Sequence, residues 1–141
     1  MSAPSPEELN EADRWLREAK EELAVATHVH SDSQLPSRVV CFHAHLAAEK
    51  ALKSLQIRRG VLVRKIHNLA QLVRELPEED RGRFDSSDLA LLNPWTVDGR
   101  YPADHEDVSR EVAASVLEAA NRVVALSSDC RPSASQEELD E

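Results

Sequence analysis

From Leu9 to Ala26 the apolar positions Leu9, Ala12, Leu16, Ala19, Leu23 and Ala26 step by 3, 4, 3, 4 and 3. That interval repeats one face of a helix, so the stretch predicts an amphipathic helix. Its start is marked as well. Ser5 suits the N-cap, Pro6 the first helical position, and Glu7 and Glu8 a first turn rich in unpaired N–H groups. The pattern fades in the polar connection HVHSDSQLPS, residues 28–37.

A second helix is expected from about Ser37 to Ile57. Val40, Ala44, Ala47, Ala51 and Leu55 form its stripe, which Cys41, Ala48 and Leu52 widen. Its alanines would let a neighbouring helix approach closely. Gly60, after a basic last turn, is a natural terminator. A third helix is expected over His67 to Leu76, with Leu69, Leu72, Val73 and Leu76 on one side and Pro77 as its stop. SSDLALL, residues 86–92, suggests a short helix capped by a serine and ended by Asn93 and Pro94.

The last long helix is expected to begin inside DGRYPADH, residues 98–105, with Pro102 in its first turn. Val108, Val112, Val116, Ala119, Val123 and Leu126 then make one row; Ala113, Leu117, Ala120 and Val124 make a second. From Ser127 the chain turns polar and acidic. The expectation is an all-α, up-and-down bundle of four to five helices. It would occupy residues 6–126, between a flexible leader (1–5) and a disordered tail (127–141).

Composition agrees with one helical domain. Three glycines and 4% aromatics are too few for a β-sandwich or barrel. No apolar run approaches the ~20 residues a membrane span needs, and no basic-then-apolar leader is visible. A cytoplasmic protein without membrane contact is expected. Cys41 sits in an apolar run and Cys130 in a polar tail, which is neither a disulfide framework nor a zinc spacing. The net charge of −9 argues against a general nucleic-acid binder. The charge is uneven, however. Residues 38–65 carry seven bases against Glu49 alone, whereas residues 6–27 carry seven acids against three bases. A basic face, or solvated bases around a loop, would follow.

The six histidines raise the question of a metal. His28 and His30 are two apart, as are His43 and His45. Helical positions two apart diverge by about 200°, so neither pair grips one ion. His45 and Glu49 share a face, but two ligands make no site. Neither a metal nor another cofactor is expected, and no phosphate loop, dinucleotide glycine pattern or serine elbow is present.

DGRYPADH holds the remaining chemistry. His105, three residues before Val108, would continue the apolar row toward a partner helix or subunit. Arg100 precedes the helix and can fold over its N-terminus. Histidine exchanges protons near neutral pH, arginine forks onto phosphate oxygens, and helix N–H groups favour an anion. Asp104, Glu106 and Asp107 fit an ordinary helix start equally well and would repel a phosphate.

The segment CFHAHLAAEKALKSLQI is preceded by WLREAKEELAVA and followed by HNLAQLVREL and GRYP. Together they resemble the HEPN family of small prokaryotic helical domains over residues 7–126. The resemblance implies a four- to five-helix bundle that dimerises. Family members often work beside a minimal nucleotidyltransferase in toxin–antitoxin or related two-gene modules. Many toxin members are metal-independent endoribonucleases, with an arginine, four to six residues and a histidine at the start of the last long helix, two copies facing each other across the dimer. Arg100 and His105 match that pattern. The implied mechanism has His105 move the 2′-hydroxyl or leaving-group proton and Arg100 hold the phosphate, giving a 2′,3′-cyclic phosphate and a 5′-hydroxyl.

Tyr101 departs from the small polar residue common after that arginine. The RYP form resembles a subgroup described as nucleotide-binding, which implies an alternative: a non-catalytic module that binds a nucleotide or a nucleotidyltransferase partner. A neutralising subunit of a pair is a third reading. Glu49 and Lys50 lie in the most family-like segment, near the expected dimer groove, where they would form a polar network or anion contact. Lys53 reads as the partner of an intrahelical Glu49–Lys53 pair, and Trp15 and Trp95 as packing residues.

Overall fold

A computed structural model describes residues 3–96 and 108–129. Among these residues the architecture is six helices without strands: α1 (Pro6–Ser31), α2 (Ser37–Arg58), α3 (Leu69–Arg74), α4 (Glu78–Arg81), α5 (Ser86–Leu92) and α6 (Arg110–Ser128). Three are long; the three short ones bridge α2 to α6. The expected third helix shortens to Leu69–Arg74, because Asn68, not His67, is its cap.

α1 begins as its sequence dictates. The Ser5 hydroxyl accepts from the Glu8 N–H, and the Glu8 carboxylate accepts from the Ser5 N–H, both at 3.1 Å. This reciprocal box satisfies two donors that a helix start leaves unpaired. α2 ends on Gly60, whose φ of 73° is the left-handed turn that glycine adopts without steric cost. Gly60 N–H donates to Ile57 O and Val61 N–H to Gln56 O, closing the helix end.

α1 and α2 pack through alanine. Ala12, Ala19 and Ala26 of α1, and Ala44, Ala47, Ala48 and Ala51 of α2, are fully buried. The pairs Asp13–Arg58, Glu18–Lys50 and Glu22–His43 run in opposite directions along the two helices, which fixes them as antiparallel. Without large side chains between them, the Ser54 hydroxyl reaches the Ala12 carbonyl of the opposite backbone at 2.8 Å. α6 packs against both; Val124 meets Ala19, Ala47 and Ala51. The main core joins α2, α3, α5 and α6 through Leu52, Leu55, Leu69, Leu72, Leu92 and Val116.

The last helix differs from its expected start. α6 begins at Arg110, with the Ser109 hydroxyl accepting from Val112 N–H at 3.1 Å. Val112 is 44% exposed, while Ala113, Val116, Leu117, Ala120, Val123 and Val124 are buried. The inward face therefore spans both apolar rows, with Ala119 of the first also fully buried, and Val112 is the member left outside it. His105, expected in line with Val108 and Val112, lies outside the described residues. α5 is capped by the Asp85 carboxylate, which accepts from Ser87 N–H, and not by a serine. Those Ser87 hydrogen bonds hold the Asp85 carboxyl below its ordinary range.

The basic stretch of residues 38–65 is largely neutralised. Lys50, Lys53, Arg58, Arg59 and Arg64 pair with Glu18, Glu49, Asp13, Asp80 and Glu75. The Arg59 fork donates to both oxygens of Asp80, which is 2% exposed, and so ties the end of α2 to α4.

The alanine interface yields a direct test. Ala51→Leu forces extra volume between α1, α2 and α6 and should cost roughly 1–3 kcal/mol. Leu62→Ala, at a position 79% exposed, should stay within about 0.5 kcal/mol. Urea unfolding of both variants measures the contrast.

Candidate functional site

Of the sequence-selected residues, Arg100, Tyr101, Asp104 and His105 lie outside the described residues. Glu49 and Lys50 lie within them, and the structure separates the two. Lys50 turns toward α1, with its ammonium 3.6 Å from the Glu18 carboxylate. Glu49 turns the other way, into a buried polar cluster.

The cluster follows from helical spacing. His45, Glu49 and Lys53 are four apart and share one face of α2. They are 1%, 6% and 5% exposed. Lys53 Nζ donates to Glu49 Oε2 at 3.1 Å and lies 5.7 Å from the centre of the Trp15 ring, within cation–π range. His45 Nε2 is 3.3 Å from Glu49 Oε1, and its Nδ1 is 2.9 Å from the Leu92 carbonyl. Both partners are acceptors, so the ring fills both contacts only when each nitrogen carries a hydrogen. His67 arrives from the loop before α3, and its Nδ1–H donates to Glu49 Oε1 at 2.9 Å.

Burial alone would push the Glu49 carboxyl up. The hydrogen bonds from His45 and His67, with the attraction and hydrogen bond of Lys53, outweigh that and hold it at about 2, against an ordinary 4.5. Glu49 is thus a fixed anion at the centre of three donors. The His67 side chain is 47% exposed. It is the member of the four that connects the buried carboxylate to the surface.

The chain on either side of residues 97–107 is anchored. Before it, the Leu92 carbonyl accepts from His45, and the Asn93 side-chain oxygen accepts from Leu69 N–H at 2.8 Å. The Asn93 amide also donates to Asn68 Oδ1 at 3.5 Å, immediately beside His67. After it, Arg110 Nη2 donates to the His30 carbonyl at 2.6 Å, joining the start of α6 to the end of α1. The Glu49 cluster and the entry to the Arg100–His105 stretch therefore share one hydrogen-bonded frame.

Sequence reasoning selected Glu49 but not His67. His45 carried a signal, its four-residue spacing from Glu49. His67 carried none, because a loop residue 18 positions away is brought in only by tertiary packing. Lys53 is the intrahelical partner expected, but it is buried, so the pair is more than a surface contact. Among the described residues no three His, Cys, Asp or Glu side chains converge so as to hold a metal ion. No helix among them is long and apolar enough to cross a membrane. An open groove of about 570 Å³ between α1 and α6, lined by Lys20, Leu23, Thr27, His28 and Asn121 among others, shares no residue with the cluster.

The HEPN domain family model matches residues 12–130. The chain belongs to the HEPN family. Its fold is similar to the crystal structure of TT1696 from Thermus thermophilus, with a TM-score of 0.69 and 26% identity over 85% of this chain and 98% of that one. It is also similar to ST0689, an archaeal HEPN homologue, with a TM-score of 0.65 and 20% identity over 83% and 94% of the two chains. Among curated proteins none matches. All of the Glu49 cluster falls inside the HEPN match.

The cluster predicts a pH-dependent cost. Glu49→Gln leaves Lys53 buried without its counter-ion and should destabilise by about 3–5 kcal/mol at neutral pH. Below the ordinary carboxylate value the unfolded chain takes up a proton that folded Glu49 refuses. The native advantage of Glu49 is therefore full above about 4.5 and fades as pH falls toward about 2. Urea titrations of wild type and variant should converge across that window.

Proposed function

We propose that this HEPN protein is a metal-independent endoribonuclease that acts as a homodimer, the toxin of a two-gene toxin–antitoxin-like module with a minimal nucleotidyltransferase as its partner. Arg100 holds the scissile phosphate. His105 takes the proton of the 2′-hydroxyl as that oxygen attacks phosphorus. The P–O5′ bond breaks and the departing 5′-oxygen takes up a proton, delivered by His105 or by water, leaving a 2′,3′-cyclic phosphate and a 5′-hydroxyl. Tyr101 and Asp104 flank these groups and shape the substrate approach.

The observation carrying this reading is the Arg100–His105 spacing within a HEPN chain, just before its last long helix. The anchored buried cluster at the entry to that stretch supports it, because a catalytic segment works best on a rigid frame. Removing a general base typically costs 10²–10⁴-fold. His105→Ala should therefore lower RNA cleavage about 100-fold or more and relieve growth arrest on expression. Equal cleavage and arrest by the two proteins would end the catalytic reading.

A second reading is favoured by the neutralised bases of residues 38–65. With five of the seven paired to acids, that stretch offers no open cationic track for a polyanion. Here the dimer is a non-catalytic module that binds a nucleotide or the nucleotidyltransferase. Titration calorimetry with ATP and with the neighbouring gene product should then register binding while RNA stays intact. Cleavage without binding to either would exclude it.

A further inference from the structure

The leucines of the α1 stripe are less covered than the alanines between them. Ala12, Ala19 and Ala26 close on α2 and are fully buried, whereas Leu9 is 37% exposed. Leu16 and Leu23 pack beside Ala19, Ala47, Ala51 and Val124 but stay partly open. At Leu23 this edge of the core opens into the groove of about 570 Å³ between α1 and α6. Lys20, Ala24 and His28 stand four apart along its α1 wall, with Asn121 on the α6 side.

The polar groups of the groove fall into two sets. The Thr27 hydroxyl donates to the Leu23 carbonyl at 2.8 Å, the Ser31 hydroxyl to the His28 carbonyl at 2.6 Å, and the Asn121 amide to the Leu117 carbonyl at 3.0 Å. Those donors are spent on their own helices. Lys20 has no acid to pair with on its own helix face: three and four residues away stand Leu16, Arg17, Leu23 and Ala24. Asp13, Glu18 and Glu22 of α1 turn instead to Arg58, Lys50 and His43 of α2. In a chain with 26 acids, none among the described residues lines this groove. It offers an ammonium at one end, an imidazole at the other and apolar surface between.

That layout selects its occupant. Lys20 and His28 lie about 12 Å apart along α1, too far for one small anion to bridge. Exposed Glu118, one turn from Asn121, repels a polyanionic strand. A second helix laid along the groove repeats the same rise, so its residues i, i+4 and i+8 meet Lys20, Ala24 and His28 in step. We propose that the α1–α6 groove docks an amphipathic helix of a partner protein, with acids at i and i+8 and a large apolar residue at i+4. The carboxylates accept from Lys20 and His28, and the apolar side chain fills the space that Ala24 leaves over Leu23. Such docking does not depend on RNA cleavage, because the groove shares no residue with the Glu49 cluster.

The test titrates the full-length protein, labelled with nitrogen-15, with an alanine-rich helical peptide that carries glutamate, leucine and glutamate at four-residue steps. A control peptide carries lysine in place of each glutamate. The acidic peptide should shift the amide signals of Ala24, Thr27 and Asn121 saturably, and the basic peptide should not. Lys20→Glu should weaken the acidic peptide about tenfold or more by setting like charges together, and should admit the basic one. Ala24→Leu, at an exposed helical position that leucine suits, should abolish the shifts by filling the groove. Circular dichroism of both variants should match wild type. Absence of saturable shifts, or equal binding of the two peptides, would overturn the proposal. So would the same amides moving with a short single-stranded RNA, which gives the groove to nucleic acid, or with protein concentration alone, which gives it to a second copy.

Discussion

The close approach of α1 and α2 governs the rest of the molecule. Ala12, Ala19 and Ala26 face a helix whose Ala44, Ala47, Ala48 and Ala51 are equally buried. Small side chains bring the backbones together, and interiors this dense leave little room for an extra methylene. α6 settles against the pair, and α2 becomes central. One face of α2 meets α1, another meets α6 and the short helices, and a third carries His45, Glu49 and Lys53. Covering that third face takes a carboxylate and an ammonium out of water together. An unpaired buried charge is unfavourable by several kcal/mol, so each needed a partner within reach.

Electrostatics follow from the same arrangement. The acids of α1 and the bases of α2 looked in sequence like opposite poles of an asymmetric surface. In the fold they lie across an antiparallel hairpin and pair with each other, as Asp13 with Arg58 and Glu18 with Lys50. Such exposed or half-exposed pairs contribute little each. The buried contacts, Glu49 with Lys53 and Asp80 with Arg59, are different in kind. They specify which loop meets which helix face, because a mismatched partner would leave a charge stranded.

How much could be read beforehand depended on whether a residue's neighbours were local. The start of α1 was legible because Ser5, Pro6 and Glu8 form a self-contained cap. The end of α2 was legible because Gly60 alone supplies the left-handed turn. The start of α6 was not. Two adjacent apolar rows both fit a helix, and only packing decides that Ala113 and Leu117 face inward while Val112 does not. Pro102 suits a first helical turn as well as Ser109 suits a cap, and Ser109 is the residue that caps the helix. In the Glu49 cluster, local spacing showed three members of one helix face. It could not show His67, which depends on the turn at Gly60 and the Asn68–Asn93 contact to reach the carboxylate.

The anchors around residues 97–107 have an evolutionary consequence. On one side the contact is to the carbonyl of Leu92, on the other to the carbonyl of His30. Both are main-chain atoms, present whatever side chain stands there. Neither anchor draws on the side chains of the segment between them. Leu92 and His30 can therefore change their side chains without loosening either anchor, so long as His45 and Arg110 keep the donors that reach them.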